Sequence, residues 1–159
     1  MIGEAAKRGR RVVEDRPIRP ILPDWHELFA AFCGHLGEEP DAHPITACAR
    51  ALAELNQADR RNPGWQGFTS ASRVLIDSVD TWVRQNAPHP ARVGESLGEL
   101  IARMALAQVT ANELLRQCDS VDEDVHTAWQ ELAVMAGRWT DLVAEVVDGQ
   151  PLFPKDKHQ

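Results

Sequence analysis

Apolar residues in this chain recur at three- and four-residue steps, segment after segment, and proline or glycine closes each segment. That period lays a stripe along one side of an α-helix, whereas a half-buried strand needs alternation at every second residue. No segment of any weight alternates that way. The chain is therefore read as all-α.

The first helix is expected directly behind Arg16-Pro17-Ile18-Arg19-Pro20-Ile21-Leu22-Pro23, which its prolines hold extended. Asp24 is the natural N-cap, Glu27 completes a capping box, and Trp25, Leu28, Phe29, Phe32 and Leu36 form the stripe that Gly37 ends. The second helix opens at His43-Pro44, carries Ile45, Cys48, Leu52 and Leu55, and stops near Asn62-Pro63-Gly64. The third runs from about Thr69 to Asn86, with Ala71, Leu75, Val79, Trp82 and Val83 on one side and Asp77, Asp80 and Arg84 toward water.

The fourth predicted helix, from Glu95 to Cys118, is apolar on two faces. Leu97, Ile101, Met104, Ala111, Leu115 and Cys118 make one seam, and the mostly small Gly98, Ala102, Ala105 and Val109 make another. A helix with two apolar faces sits between neighbours, and small residues let one neighbour come close, so this helix is expected to be central. Ser120 and Glu123 give a second capping box for a fifth helix, which carries Val125, Trp129, Leu132, Ala136, Trp139, Val143 and Val146 to a stop at Gly149. Four long helices on short turns, with a short one in front, fit an up-and-down antiparallel helical bundle. The organisation read from this is a basic, disordered N-terminal tail over 1-21, a helical-bundle domain over 22-150 and a C-terminal tail over 151-159.

Charge bounds the function. The net charge of −7 argues against a nucleic-acid binder, which needs a basic surface for phosphates. It is unevenly spread: in the first twenty residues Lys7, Arg8, Arg10, Arg11, Arg16 and Arg19 face Glu4, Glu14 and Asp15, a net of +3 that leaves −10 for the rest. Tail and body attract each other. No run approaches the roughly 20 apolar residues of a membrane span, and no apolar run follows the N-terminal basic residues, so a cytoplasmic protein without membrane contact is expected. Cys33, Cys48 and Cys118 lack the C-x-x-C spacing and are read as buried, reduced thiols.

Few residues carry chemistry on their own. Glu95, Glu99 and Arg103 stand one turn apart, so Glu95 as acid or base with Arg103 holding an anion would be a catalytic pair if a cleft opened there; the plainer reading is a solvated salt-bridge ladder. Gln108 falls in the apolar seam of the fourth helix and Asn56 adjoins that of the second. Such amides need partners: they could contact each other or a polar ligand, but the commoner case, and the reading preferred here, is a satisfied core hydrogen bond that fixes helix register. Trp82, Trp129 and Trp139, with Trp25, are core or rim anchors that also suit a pocket for a flat apolar ligand. Glu123-x-x-His126 has the spacing of a di-iron bundle but no second copy, so neither metal nor cofactor is expected. The remaining histidines, His43 among them, fall at helix starts and turns, where they are read as solvated.

Taken in order, His43-Pro44, Ala53-Glu54-Leu55-Asn56, Ile76-Asp77-Ser78-Val79-Asp80-Thr81-Trp82-Val83, Glu95-Ser96-Leu97-Gly98-Glu99-Leu100-Ile101-Ala102-Arg103-Met104, Val125-His126-Thr127-Ala128-Trp129 and Asp141-Leu142-Val143-Ala144-Glu145-Val146 make a familiar series. It resembles the bacterial family known as domain of unknown function 4254, over roughly residues 22 to 154. Order and spacing carry the likeness, since each motif alone is ordinary bundle sequence. The resemblance implies a compact helical bundle and no established reaction. The family pattern has an acidic residue just before the arginine that Arg103 matches, where this chain has Ala102, so an activity that used that acid would be missing here.

Two functional readings stay open. The first is a non-enzymatic binding or assembly module that self-associates, as a homo-oligomer such as a dimer, and docks a protein or small ligand. The alternative is a small metal-independent enzyme built on Glu95 and Arg103. Trp65-Gln66-Gly67 in a turn between helices also resembles the tripeptide of small W-x-G secretion substrates, although the chain has no tyrosine for their export signal.

Overall fold

The computed structural model describes residues 21–90, 94–117 and 122–149, and among these it is all-helical: α1 (Trp25–Phe32), α2 (Pro44–Arg61), α3 (Gly67–Asn86), α4 (Leu97–Gln117) and α5 (Glu123–Asp148). No strand occurs among the described residues. The Asp24 carboxylate takes the Glu27 amide at 2.9 Å while the Glu27 side chain reaches back to the Asp24 amide, the capping box expected of that pair. Proline at the first position opens α2, and Gly149, in the left-handed conformation with φ of 74°, closes α5.

Two boundaries differ from expectation. Helix α1 ends at Phe32 with Cys33 as C-cap, a turn earlier than the stripe through Leu36 suggested. Helix α5 is capped by Asp122, whose carboxylate takes the Asp124 amide at 2.8 Å; Ser120, expected in that role, lies outside the described residues, as does Cys118.

Helix α4 is the hub. It packs against α1, α2, α3 and α5, and its buried side chains include Leu97, Leu100, Ile101, Met104, Ala105 and Val109. Both predicted seams are thus in use as far as Ala111, whereas Leu115, expected in the first, is exposed near the end of the helix. The small one works as anticipated at Gly98, where a β-carbon would overlap the Ile76 carbonyl oxygen and stand 3.0 Å from its carbonyl carbon, so only glycine lets α3 come this close. Helix α5, by contrast, packs only against α4 and α1 among the described residues. The fully buried Trp139 fastens it, its indole N–H donating to the Pro23 carbonyl at 2.9 Å just ahead of α1.

Candidate functional site

Glu95 does not lie on α4. The helix begins at Leu97, and Ser96 ahead of it accepts the Glu99 amide on its hydroxyl at 2.9 Å. The reason is Asp80 of α3, expected in water but half-buried, whose carboxylate accepts from the Ser96 hydroxyl at 2.6 Å and from the Gly98 amide at 2.9 Å. A negative side chain from one helix therefore sits at the positive end of the next. The predicted ladder is broken as a result: Glu99 pairs with Arg73 of α3 at 3.4 Å.

Glu95 instead joins α4 to α5. One of its oxygens accepts from both Nε, at 2.7 Å, and Nη2 of Arg138, and the other faces Arg103 at 3.4 Å. Arg138 is the partner that the sequence did not disclose, because nothing local links positions 43 residues apart. The Glu95 side chain is 30% exposed and borders a pocket of about 250 Å³ together with Asp80, Arg84 and Ser96. Arg103 is exposed and does not line the pocket that Glu95 borders. A carboxylate whose two oxygens are both engaged by guanidiniums suits a structural tie better than proton transfer.

The amides separate too. Asn56 is buried and donates to the Leu52 carbonyl of its own helix at 2.8 Å, while Gln108, 3% exposed, donates to Cys33 Sγ at 3.3 Å. They do not bond each other, and the Gln108 carbonyl oxygen has no hydrogen-bond partner among the described residues. Cys33, expected inside, is exposed because α1 stops before it; Cys48 is half-buried, and burial pushes its thiol pKa up. Nor is His43 simply solvated: Nδ1 accepts the Ile45 amide at 3.1 Å, Nε2 lies 2.8 Å from the Ile21 carbonyl, and the ring rests on Trp82 with centroids 4.7 Å apart. Accepting at one nitrogen requires donating at the other, so this geometry selects the neutral tautomer protonated at Nε2.

The tryptophans divide by role. Trp139 is core and Trp82 supports His43, whereas Trp129 is half-exposed and lines a groove of about 300 Å³ between α1 and α5. Trp25 and Phe29, edge to face at 5.3 Å, form the α1 wall, and Ala133, Ala136 and Gly137 form the α5 wall. Gly137 is the functional candidate passed over in sequence, although a glycine in the middle of a long helix is itself a visible anomaly. Unlike Gly98, it has nothing within 4 Å of where a β-carbon would stand.

Among the described residues no three His, Cys, Asp or Glu side chains converge as metal ligands, and Glu123 and His126 are exposed. No described helix is long and apolar enough to cross a membrane. Fold and groove together define the chain as an all-α helical bundle with one partly covered outer helix. No family model, no curated protein and no solved structure matches it.

Proposed function

We propose that the chain is a non-enzymatic assembly module that self-associates through the groove between α1 and α5. The observation carrying this reading is Gly137. Glycine inside a helix costs about 0.5–1 kcal/mol relative to alanine, and at this position the fold itself has no use for the missing side chain. A bare backbone between aromatic walls suits the close approach of another helix, and α5 of a second copy would present the same surface in return. Val134, 73% exposed and one turn from Arg138, adds apolar area on the outside of the same helix.

Sedimentation equilibrium of the wild-type chain and of Gly137→Lys tests this reading. A concentration-dependent dimer that the substitution converts to monomer is expected; a wild-type chain that stays monomeric throughout overturns it.

The enzyme alternative, with Glu95 as acid or base and Arg103 as anion holder, has less support because the Glu95 carboxylate is already engaged by Arg138 and Arg103. Likewise the Trp65 indole folds over Gly67 at the start of α3, a local packing reason for that tripeptide that needs no secretion role.

A further inference from the structure

A second concavity, of about 370 Å³, lies beside the start of α1. Buried Leu22 and Thr46 form its floor, and Glu27, Glu39 and Asp41 supply its acidic margin. None of these three carboxylates is ion-paired among the described residues, and Arg50, the cation on α2 close by, pairs with Glu38 at 3.2 Å and Glu54 at 3.0 Å. The Glu39 carboxyl is held below the usual carboxylate range by its own backbone amide and by the Gly37 amide, which donates to it at 2.9 Å. The margin thus gathers three carboxylates around that floor.

The chain enters the described fold at this same place. Residues 1–20 end next to Ile21, and the following Leu22 is itself part of the pocket. Two residues, Pro20 and Ile21, separate Arg19 from Leu22, three chain steps or about 10 Å when fully extended, so the Arg19 guanidinium stays within reach of the margin in any conformation that brings the segment back. In sequence, Arg16 and Arg19 stand three residues apart among Pro17 and Pro20, a spacing that matches the three-residue turn of proline-rich extended segments.

We propose that the segment Arg16-Pro17-Ile18-Arg19-Pro20 docks on this pocket of its own chain, with the two guanidiniums on Glu27, Glu39 and Asp41. Single exposed ion pairs contribute little, but a tether this short raises the effective concentration to the millimolar range or above, and a proline-stiffened segment loses less entropy on docking. The proposal is independent of the assembly reading, which concerns the other side of α1.

The test uses the full chain and two variants, Arg16→Glu with Arg19→Glu, and Asp41→Arg. In the first, backbone amide resonances of Gly37, Glu39, Asp41 and Ala42 are compared with wild type; in both, the heteronuclear 15N NOE of Ile18 is read. Measurements are repeated in about 1 M salt, where the Debye length falls to about 3 Å. Tail reversal is expected to move the four pocket amides, both variants to lower the Ile18 NOE, and salt to reproduce both effects in the wild type. Unmoved pocket amides, shifts confined to another surface, or an Ile18 NOE indifferent to charge reversal and salt would each overturn the proposal. Residues 16 and 19 precede the first helix and Asp41 is exposed in a loop, so the variants leave the helical core intact.

Discussion

The Asp80 carboxylate, six residues before the end of α3, accepts hydrogen bonds from the Ser96 hydroxyl and the Gly98 amide at the start of α4. One acid thereby ties α3 to the start of α4, and it does so beside the close backbone approach of Gly98 to Ile76. Charge, cap and close packing meet within a few residues. Asp80→Ala removes both acceptors and leaves the Ser96 hydroxyl and Gly98 amide half-buried without a partner. A loss of about 1–3 kcal/mol in urea unfolding is expected, with Asp80→Asn intermediate because it keeps one acceptor.

The two helix glycines that look alike in sequence are predicted to behave oppositely. Gly98→Ala pushes a β-carbon into the Ile76 carbonyl and should cost about 1–3 kcal/mol. Gly137→Ala meets open space and should raise the stability of the isolated chain by about 0.5–1 kcal/mol, while weakening self-association through the α1–α5 groove. Urea melts at low protein concentration read the first quantity, and sedimentation reads the second.

His43 caps α2 with one nitrogen and ties the segment ahead of α1 with the other. His43→Ala loses both bonds and also the face on which Trp82 rests, for an expected cost of about 1–2 kcal/mol. His43→Asn, which retains a cap acceptor, should recover about half of that in the same melts.

Thiol labelling should sort the cysteines by burial. In a Cys118→Ser background, Cys33 is expected to react with an aromatic disulfide reagent quickly and Cys48 slowly, both being accessible at equal rates only after unfolding. Because burial raises the Cys48 pKa, the folded chain holds that proton more tightly than the unfolded one. Its contribution to stability is therefore full below the ordinary thiol range and declines as pH rises through the raised value. A Cys48 that labels as fast as Cys33 in the native chain would contradict the packing described here.

Glu95→Gln removes the charge that links Arg138 of α5 to Arg103 of α4. With both arginines more than half exposed, the expected loss of stability is only about 0.2–1 kcal/mol and should shrink in high salt.

By itself the sequence determined the elements: the three- and four-residue period, the prolines and glycines between segments and the Asp24–Glu27 box act over a few residues, and helices form where those local preferences agree. It also determined that the fourth helix has two apolar faces, because a helix's exposure follows from its own pattern, although the helix runs over Leu97–Gln117 and leaves Glu95 outside it. Only the tertiary structure decided what the polar residues do. Asp80 looked solvated until Ser96 and Gly98 came to it, Glu95 gained Arg138 from 43 positions away, Asn56 and Gln108 found separate partners, and Cys33 became exposed when α1 stopped a turn early. Gly98 and Gly137 carry the same side chain in the same kind of element, and the position of Ile76 alone makes one of them a necessity of the fold and leaves the other open to a partner. Hydrogen bonds and close approaches join groups whose separation along the chain carries no signal, whereas helix periodicity is written into every turn.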